Sequence, residues 1–284
     1  HCGEVKRDPV IRTPASIVSA GSSRSTRGID YQNVPRPVAA LADEYPPDYI
    51  DPRHSHQRGQ LLYASSGIMY VITDAATFIV PPQRALWIPP RVEHEVQCRG
   101  HVSVRTSYID TRARPDLPVA CRVFEVSSLL RELIIEATAL PLEYDVDGRD
   151  GHVMALILDE ITRTPAVPLQ VPMPRHPQLE RACRAILADP AQSDTLDDWA
   201  EMASMGRRTF TRLFRRETGM SFAAWRQHVR LMEALSRLAT GHRVTSVAFD
   251  VGYSSSSAFS AMFKRTFGAP PTQYFAARET EVAE

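Results

Sequence analysis

The feature that most constrains this chain is a repeat near its C-terminal end. The segment RRTFTRLFRRETG at 207–219 recurs as SSAFSAMFKRTFG at 256–268, offset by 49 residues. Only four of 13 positions are identical, but the apolar pattern is kept: Phe210, Leu213 and Phe214 correspond to Phe259, Met262 and Phe263. Apolar residues three and four apart in both copies predict two equivalent amphipathic helices. Each copy follows a short helix and a tight turn, WAEMASMG before the first and VAFDVGYS before the second, where Gly252 supplies the turn's freedom. A short helix, a turn and a second helix make a helix-turn-helix, here present twice.

With Phe210, Leu213 and Phe214 turned inward, Arg208, Thr211, Arg212 and Arg215 fall on the outer face, flanked by Arg207 and Arg216. The second copy presents Ser257, Ser260, Ala261 and Lys264 there. An arginine face suits the major groove, where guanidinium groups donate bidentately to guanine, and small residues let a helix sit close to the bases. The helix expected between the copies, 222–239, is about 27 Å long. It would set two readers into adjacent major grooves, about 34 Å apart.

Charge agrees with this. The chain has 33 basic and 33 acidic residues and no net charge, but residues 204–278 carry 12 basic and 3 acidic ones, a net of +9. A neutral chain with one basic end predicts a polyanion-binding module joined to something else. Non-specific nucleoid coating is disfavoured, because such binding leans on bulk positive charge.

Ahead of the repeat, the expected order is an irregular arm at 1–35, a strand-rich domain at 36–115, two helices within 124–163, a proline-rich extended linker at 164–177 and the helical module at 178–278. Short β-branched and aromatic runs (QLLYASSGIMYVI, TFIV, RALWI, HEVQC, VSVRTSYI) separated by turn signals predict a sandwich or barrel. The helices over 127–140 and 152–162 would place Leu129, Leu130, Leu133 and Ile134, and Val153, Leu156, Ile157 and Ile161, on inner faces. Those stripes require cover from the barrel or from a second copy of the chain, so a homodimer is expected. No apolar run is long enough to span a membrane. The first residues, HCGEVKRD, contain no signal-peptide core, and the four cysteines (Cys2, Cys98, Cys121 and Cys183) form no CxxC pair. A cytoplasmic protein with reduced thiols is expected.

MGRRTFTRLFRRETGMSFAAWRQHVRL and VTSVAFDVGYSSSSAFSAMFKRTFGAPPTQY resemble the double helix-turn-helix domain of the AraC/XylS transcription regulators. Gly252, Tyr253, Ser255, Phe259, Phe263, Gly268, Pro271 and Tyr274 stand at that family's spacing. The resemblance covers roughly 175–278 and implies sequence-specific binding to double-stranded promoter DNA, with RNA polymerase as a further partner of an activator. Carried over by position, it implies base reading by Arg208, Thr211 and Arg212 and by Ser256, Ser257 and Ser260. Gly206 departs from the pattern, where the family usually has a serine cap.

The strand-rich half resembles a cupin jelly-roll barrel. His54-Ser-His56 with Gln60 and Gly67, followed by His94 in PPRVEHEV, approximates the two cupin motifs, with Gln60 standing where the motif has Glu. The resemblance implies that His54, His56, Gln60 and His94 converge. They could hold a divalent transition metal such as Fe(II), Ni(II), Zn(II) or Mn(II), or line the pocket of a small-molecule effector. An HxH on one strand would point both rings to the same face. Cys98 would share the face of His94, and Tyr63, Tyr70, Trp87 and Tyr108 are candidate pocket aromatics. The combined pattern is similar to a subgroup of AraC-type regulators that includes the nitroimidazole-resistance regulator and the repressor of iron proteins. The whole predicts a ligand- or metal-controlled transcription factor. A metal-dependent cupin enzyme is the rival, and it leaves the tandem readers without a purpose.

Overall fold

The computed structural model describes residues 24–274. Eight strands form one antiparallel, barrel-like sheet: β1 (Val38–Tyr45), β2 (Ile50–His54), β3 (Gly59–Ile72), β4 (Ala76–Val80), β5 (Arg84–Ile88), β6 (His94–Ile109), β7 (Arg122–Glu125) and β8 (Gln170–Pro172). Long β3 and β6 pair along most of their lengths, and each also pairs with shorter strands at either end. Their shared register slips between Ala64 and Ile68. Gly67 sits there at φ 72°, and a Cβ at this position would lie 2.4 Å from the His101 carbonyl oxygen, so only glycine fits the bulge.

Alternation along β3 feeds two cores. Leu61 and Tyr63 pack with Trp87, Phe124 and the hairpin helices α1 (Ser128–Ala139) and α2 (Arg149–Arg163). Leu62, Ala64 and Ile68 join a second core that continues into the C-terminal helices. The hairpin is therefore covered by the barrel. Its inner residues are Leu130, Leu133, Ile134 and Ala137, and Met154, Ile157, Leu158 and Ile161. Leu129 and Leu156, expected inside, are 53% and 43% exposed. Ala137 and Met154 take inner places beside the expected Leu130, Leu133, Ile134, Ile157 and Ile161.

Two expectations about irregular segments change. Residues 1–23, with Cys2, lie outside the described residues, but 24–35 are held firmly instead of forming a loose arm. Tyr31 is 1% exposed, and the Arg24 guanidinium donates to the Thr138, Ala139 and Leu140 carbonyls at the end of α1. A cation there also complements the helix dipole. The proline-rich stretch 164–177 is extended, as its prolines dictate, but it does not run free. Val167 donates to the Val123 carbonyl and β8 pairs with β4, so the connection is built into the sheet.

The C-terminal module follows as α3 (Pro177–Ala188), α4 (Leu196–Met202), α5 (Arg207–Thr218), α6 (Phe222–Ala239), α7 (Val244–Asp250), α8 (Ser256–Phe267) and the single turn α9 (Pro271–Tyr274). The sequence predicts a last helix over 272–277, and its residues 275–277 lie outside the described residues. Both reader helices stop at a left-handed glycine, Gly219 and Gly268. Among the described residues, no helix is long and apolar enough to cross a membrane.

Candidate effector site and DNA-reading surface

In the barrel, His54 closes β2 opposite His94, which opens β6. His56 lies in the turn beyond β2, so the HxH pair is not on one strand as expected. The register of β2 shifts between Asp51 and His54, the strand ends at His54, and the chain beyond it brings His56 back beside His54. One nitrogen from each of the three rings lies within 4.8 Å of the others. The Nε2 atoms of His54 and His56 are 3.1 Å apart. His54 Nδ1–H donates to the Pro52 carbonyl at 2.7 Å and His94 Nδ1–H to the Val92 carbonyl at 2.9 Å. Those bonds place a proton on Nδ1 of His54 and of His94 and turn their Nε2 atoms toward the cluster, the usual preparation of metal-ligating histidines.

His94 is fully buried, and its Nε2 has no hydrogen-bond partner. Burial lowers its pKa to about 4. Burial, with His54 beside it, lowers that of His56 to about 3. Both rings are thus neutral near pH 7. In chelator-treated protein, the unfolded chain takes up protons below its histidine pKa of about 6.5 that these two rings refuse in the folded state. Stability is expected to be flat above pH 7 and to fall between about 6.5 and 4. The slope should reach about 1.4 kcal/mol per pH unit for buried His94, and less for the more exposed His56. Urea titrations across this range check the fall, and a flat profile from pH 7 to 5 would contradict the buried-neutral assignment.

Gln60, the sequence candidate for a fourth ligand, is on β3 opposite Tyr108, whose ring lies 4.8 Å from that of His56. Its Oε1 is buried and has no hydrogen-bond partner. Orphaned acceptors on Gln60 and His94 in one region are costly unless something is bound there. Of the candidate pocket aromatics, only Tyr108 reaches the cluster. Tyr63 and Trp87 belong to the hairpin core, and the Tyr70 hydroxyl donates to Glu233 of α6. Cys98 is a buried thiol pushed up to about 12 by burial and the nearby Asp51 charge, which suits it to packing and not to reaction.

On the other module, Phe210 and Phe214 are fully buried against Phe222, and Phe214 also meets Trp225 at 5.6 Å. Arg207, Arg208, Arg212 and Arg215 are exposed on the opposite side of α5, and Thr211 is partly exposed. Arg207 pairs with Asp197 at 3.0 Å. Among the described residues, Arg208, Arg212 and Arg215 have no ion pair. On α8, Phe259 and Phe263 are buried, Ser257 and Lys264 are exposed, and Ser256 and Ser260 are partly exposed. Ser255 caps α8 by accepting from the Ala258 amide at 3.2 Å, whereas Gly206 gives α5 no side-chain cap.

Sequence reasoning missed the contact between the two modules. The Glu233 carboxylate, 8% exposed, accepts from Arg99 of β6 at 2.9 Å and from Arg237 at 2.8 Å. Trp225 donates to the Pro172 carbonyl at 2.7 Å, and Arg84 of β5 donates to the Tyr274 hydroxyl at 3.0 Å. One signal was available: Glu233 is an acidic residue on the apolar face of an otherwise basic helix, and such a residue needs a partner.

A β-rich domain with converging polar groups, packed on a module of two helix-turn-helix units, defines a sensor joined to a DNA reader. The AraC-like ligand-binding domain family matches residues 37–205, and the helix-turn-helix domain family matches 199–277. The chain is 33% identical to the HTH-type transcriptional regulator NimR of Escherichia coli K12, over 81% of this chain and 84% of NimR. It is 31% identical to the HTH-type transcriptional regulator RipA of Corynebacterium diphtheriae, over 49% of this chain and 39% of RipA. The HTH-type transcriptional regulator AlkR of Acinetobacter baylyi matches at 34% identity, over 45% of this chain and 44% of AlkR. The chain belongs to the AraC family of helix-turn-helix transcription regulators.

Proposed function

We propose that this chain is a one-component transcription factor that reads promoter DNA through α5 and α8 under the control of a divalent transition metal in its N-terminal barrel. The observation that carries the metal reading is the convergence of three imidazoles, two of them with Nδ1–H already committed to backbone carbonyls. The 3.1 Å between His54 and His56 Nε2 fits two nitrogens sharing one ion at about 2.0–2.1 Å each. His54, His56 and His94 hold the ion, with Gln60 as a neutral oxygen donor nearby. The ion supplies a fixed positive charge that ties the end of β2 to the start of β6.

β6 also carries Arg99, which grips Glu233 of α6, so a change at His94 reaches the helix that spaces the two readers. Metal acts on DNA binding only through different affinities for two arrangements of the modules. In the C-terminal module Arg208, Thr211, Arg212, Ser256, Ser257 and Ser260 read bases, while Arg207, Arg215 and Lys264 contact phosphates. Exposed Leu129 and Leu156 of the hairpin offer a homodimer surface.

Isothermal titration with Zn(II) tests the site. One equivalent is expected to bind the parent chain, and His94→Ala is expected to weaken it at least about tenfold. Equal binding by parent and variant would remove the metal from the account. A second reading, a small organic effector, has its own observation. A cavity of about 910 Å³ is lined by Gln57, Arg58, Arg91 and Arg112 among others, a set of cationic and polar groups that does not include the three histidines.

A further inference from the structure

We infer that the end of the barrel where β1 and β3 begin holds a binding site for a small organic anion, one carrying a carboxylate or phosphate group. The inference rests on the organic-effector reading of the cavity there and gives that effector its charge. Strand register places the site. Val38 at the start of β1 and Gly59 at the start of β3 both lie opposite Ile109 at the end of β6. Gln60 lies opposite Ile88 at the end of β5. The segments that adjoin these four strand ends, 32–37, 57–58, 90–91 and 110–113, wall the cavity of about 910 Å³.

Four arginines line the cavity, Arg36, Arg58, Arg91 and Arg112, against one carboxylate, Asp110. Asp110 is already committed, because both of its oxygens accept from the Arg112 guanidinium at 2.7–3.2 Å. Among the described residues, Arg36, Arg58 and Arg91 form no ion pair with a carboxylate. Arg58 is 8% exposed and held in place. Its guanidinium donates to the backbone carbonyls of Gln32 and Arg36 at 3.0 Å and of Val34 at 2.5 Å. Arg36 is fixed in the same way by the carbonyls of Pro35, Glu143 and Tyr144. A guanidinium has five N–H donors, so three bonds leave two on each of these groups. Arg91 supplies a movable cation. Its amide donates to the His56 carbonyl at 2.8 Å, which fixes the turn at φ 63°, while its exposed side chain has no hydrogen bond among the described residues.

Guanidinium forks match carboxylate and phosphate oxygens bidentately. Forks already ordered by backbone carbonyls lose little side-chain freedom on taking an oxyanion. A neutral ligand would leave the lining's net charge of +3 unanswered. Between the charged groups the wall is apolar, made of Val34, Pro35, Pro37 and Pro90, and that suits a carbon body behind the anionic head. His56, Gln57 and Arg58 are consecutive, so an anion held by Arg58 also bears on the turn that carries His56.

Calorimetric titration of the full chain tests the site, on protein treated with chelator and dialysed free of it, at an ionic strength held constant with chloride. Succinate and inorganic phosphate are the charged probes, and succinamide is the uncharged match of succinate. One equivalent of succinate or phosphate is expected to bind saturably, the tighter of the two identifying the head group. Succinamide is expected to bind at least about tenfold more weakly than succinate. This comparison uses the parent chain and depends on no variant. Arg91→Gln is expected to weaken anion binding about 5–20-fold and Arg91→Glu more, while Arg163→Gln, outside the cavity, leaves it unchanged. Circular dichroism checks that each variant is folded. Succinamide binding as tightly as succinate would overturn the anion assignment and keep an organic effector in the cavity. Anion binding that survives Arg91→Glu would place the anion elsewhere and overturn the site. Failure of both anions to bind saturably below about 10 mM would overturn it as well.

Discussion

Phe214→Ala is expected to destabilise the C-terminal module by about 3–5 kcal/mol, the cost of emptying a fully buried phenylalanine position. Phe214 is 0% exposed and lies at the meeting point of α5 and α6, with Phe210 at 5.9 Å, Phe222 at 5.2 Å and Trp225 at 5.6 Å between ring centroids. The cavity would have rigid aromatic walls, which relax poorly, so the cost belongs in the upper part of that range. The effect would not stop at the reader. Trp225 is tied to the Pro172 carbonyl of β8, so loosening its packing also loosens the seat of the helical module on the barrel. Urea unfolding followed by tryptophan fluorescence measures the loss. A change below about 1 kcal/mol would mean that α5 is not packed as described.

Arg212→Ala should leave the fold intact, because the side chain is exposed and makes no ion pair among the described residues. Its expected effect is on DNA. A base-reading arginine is worth about 1–3 kcal/mol of discrimination, so affinity for the preferred site should fall about 5–150-fold while selectivity relaxes at one base pair. Arg215→Ala, removing a phosphate contact, should instead weaken binding to all sequences similarly and lower the salt dependence. Selection from randomised duplexes with parent and variants separates the two patterns. Unchanged base preference in Arg212→Ala would show that α5 does not read bases through this residue.

The C-terminal module was legible almost residue by residue. Caps such as Ser221 and Ser255, stops such as Gly219 and Gly268, and the buried phenylalanine pairs are local signals, and local signals fix helix bounds. The basic outer face of α5 followed from the same periodicity. What escaped depends on contacts distant in sequence. The hairpin periodicity placed Leu129 and Leu156 inward along with Leu130 and Ile157, and only packing on the sheet left Leu129 and Leu156 exposed and buried Met154. The prolines of 164–177 announced extended chain but could not announce that β4 had an open edge waiting for β8.

The histidines were found by motif, but their convergence depends on the early end of β2, which no residue pattern near His54 advertises. Glu233 was the one distant contact with a local clue, since its helix left it on the buried side.

The account's central claim is that metal at the histidine cluster sets how the two readers engage DNA. Fluorescence anisotropy of the full chain with its own upstream intergenic DNA, at fixed salt and with excess non-specific competitor, tests it most directly. The account predicts competitor-resistant binding whose affinity changes when a chelator removes the metal, with recovery on adding Zn(II), and no response to either in the His54→Ala/His94→Ala variant. Competitor-resistant binding that responds identically in parent and variant would contradict it.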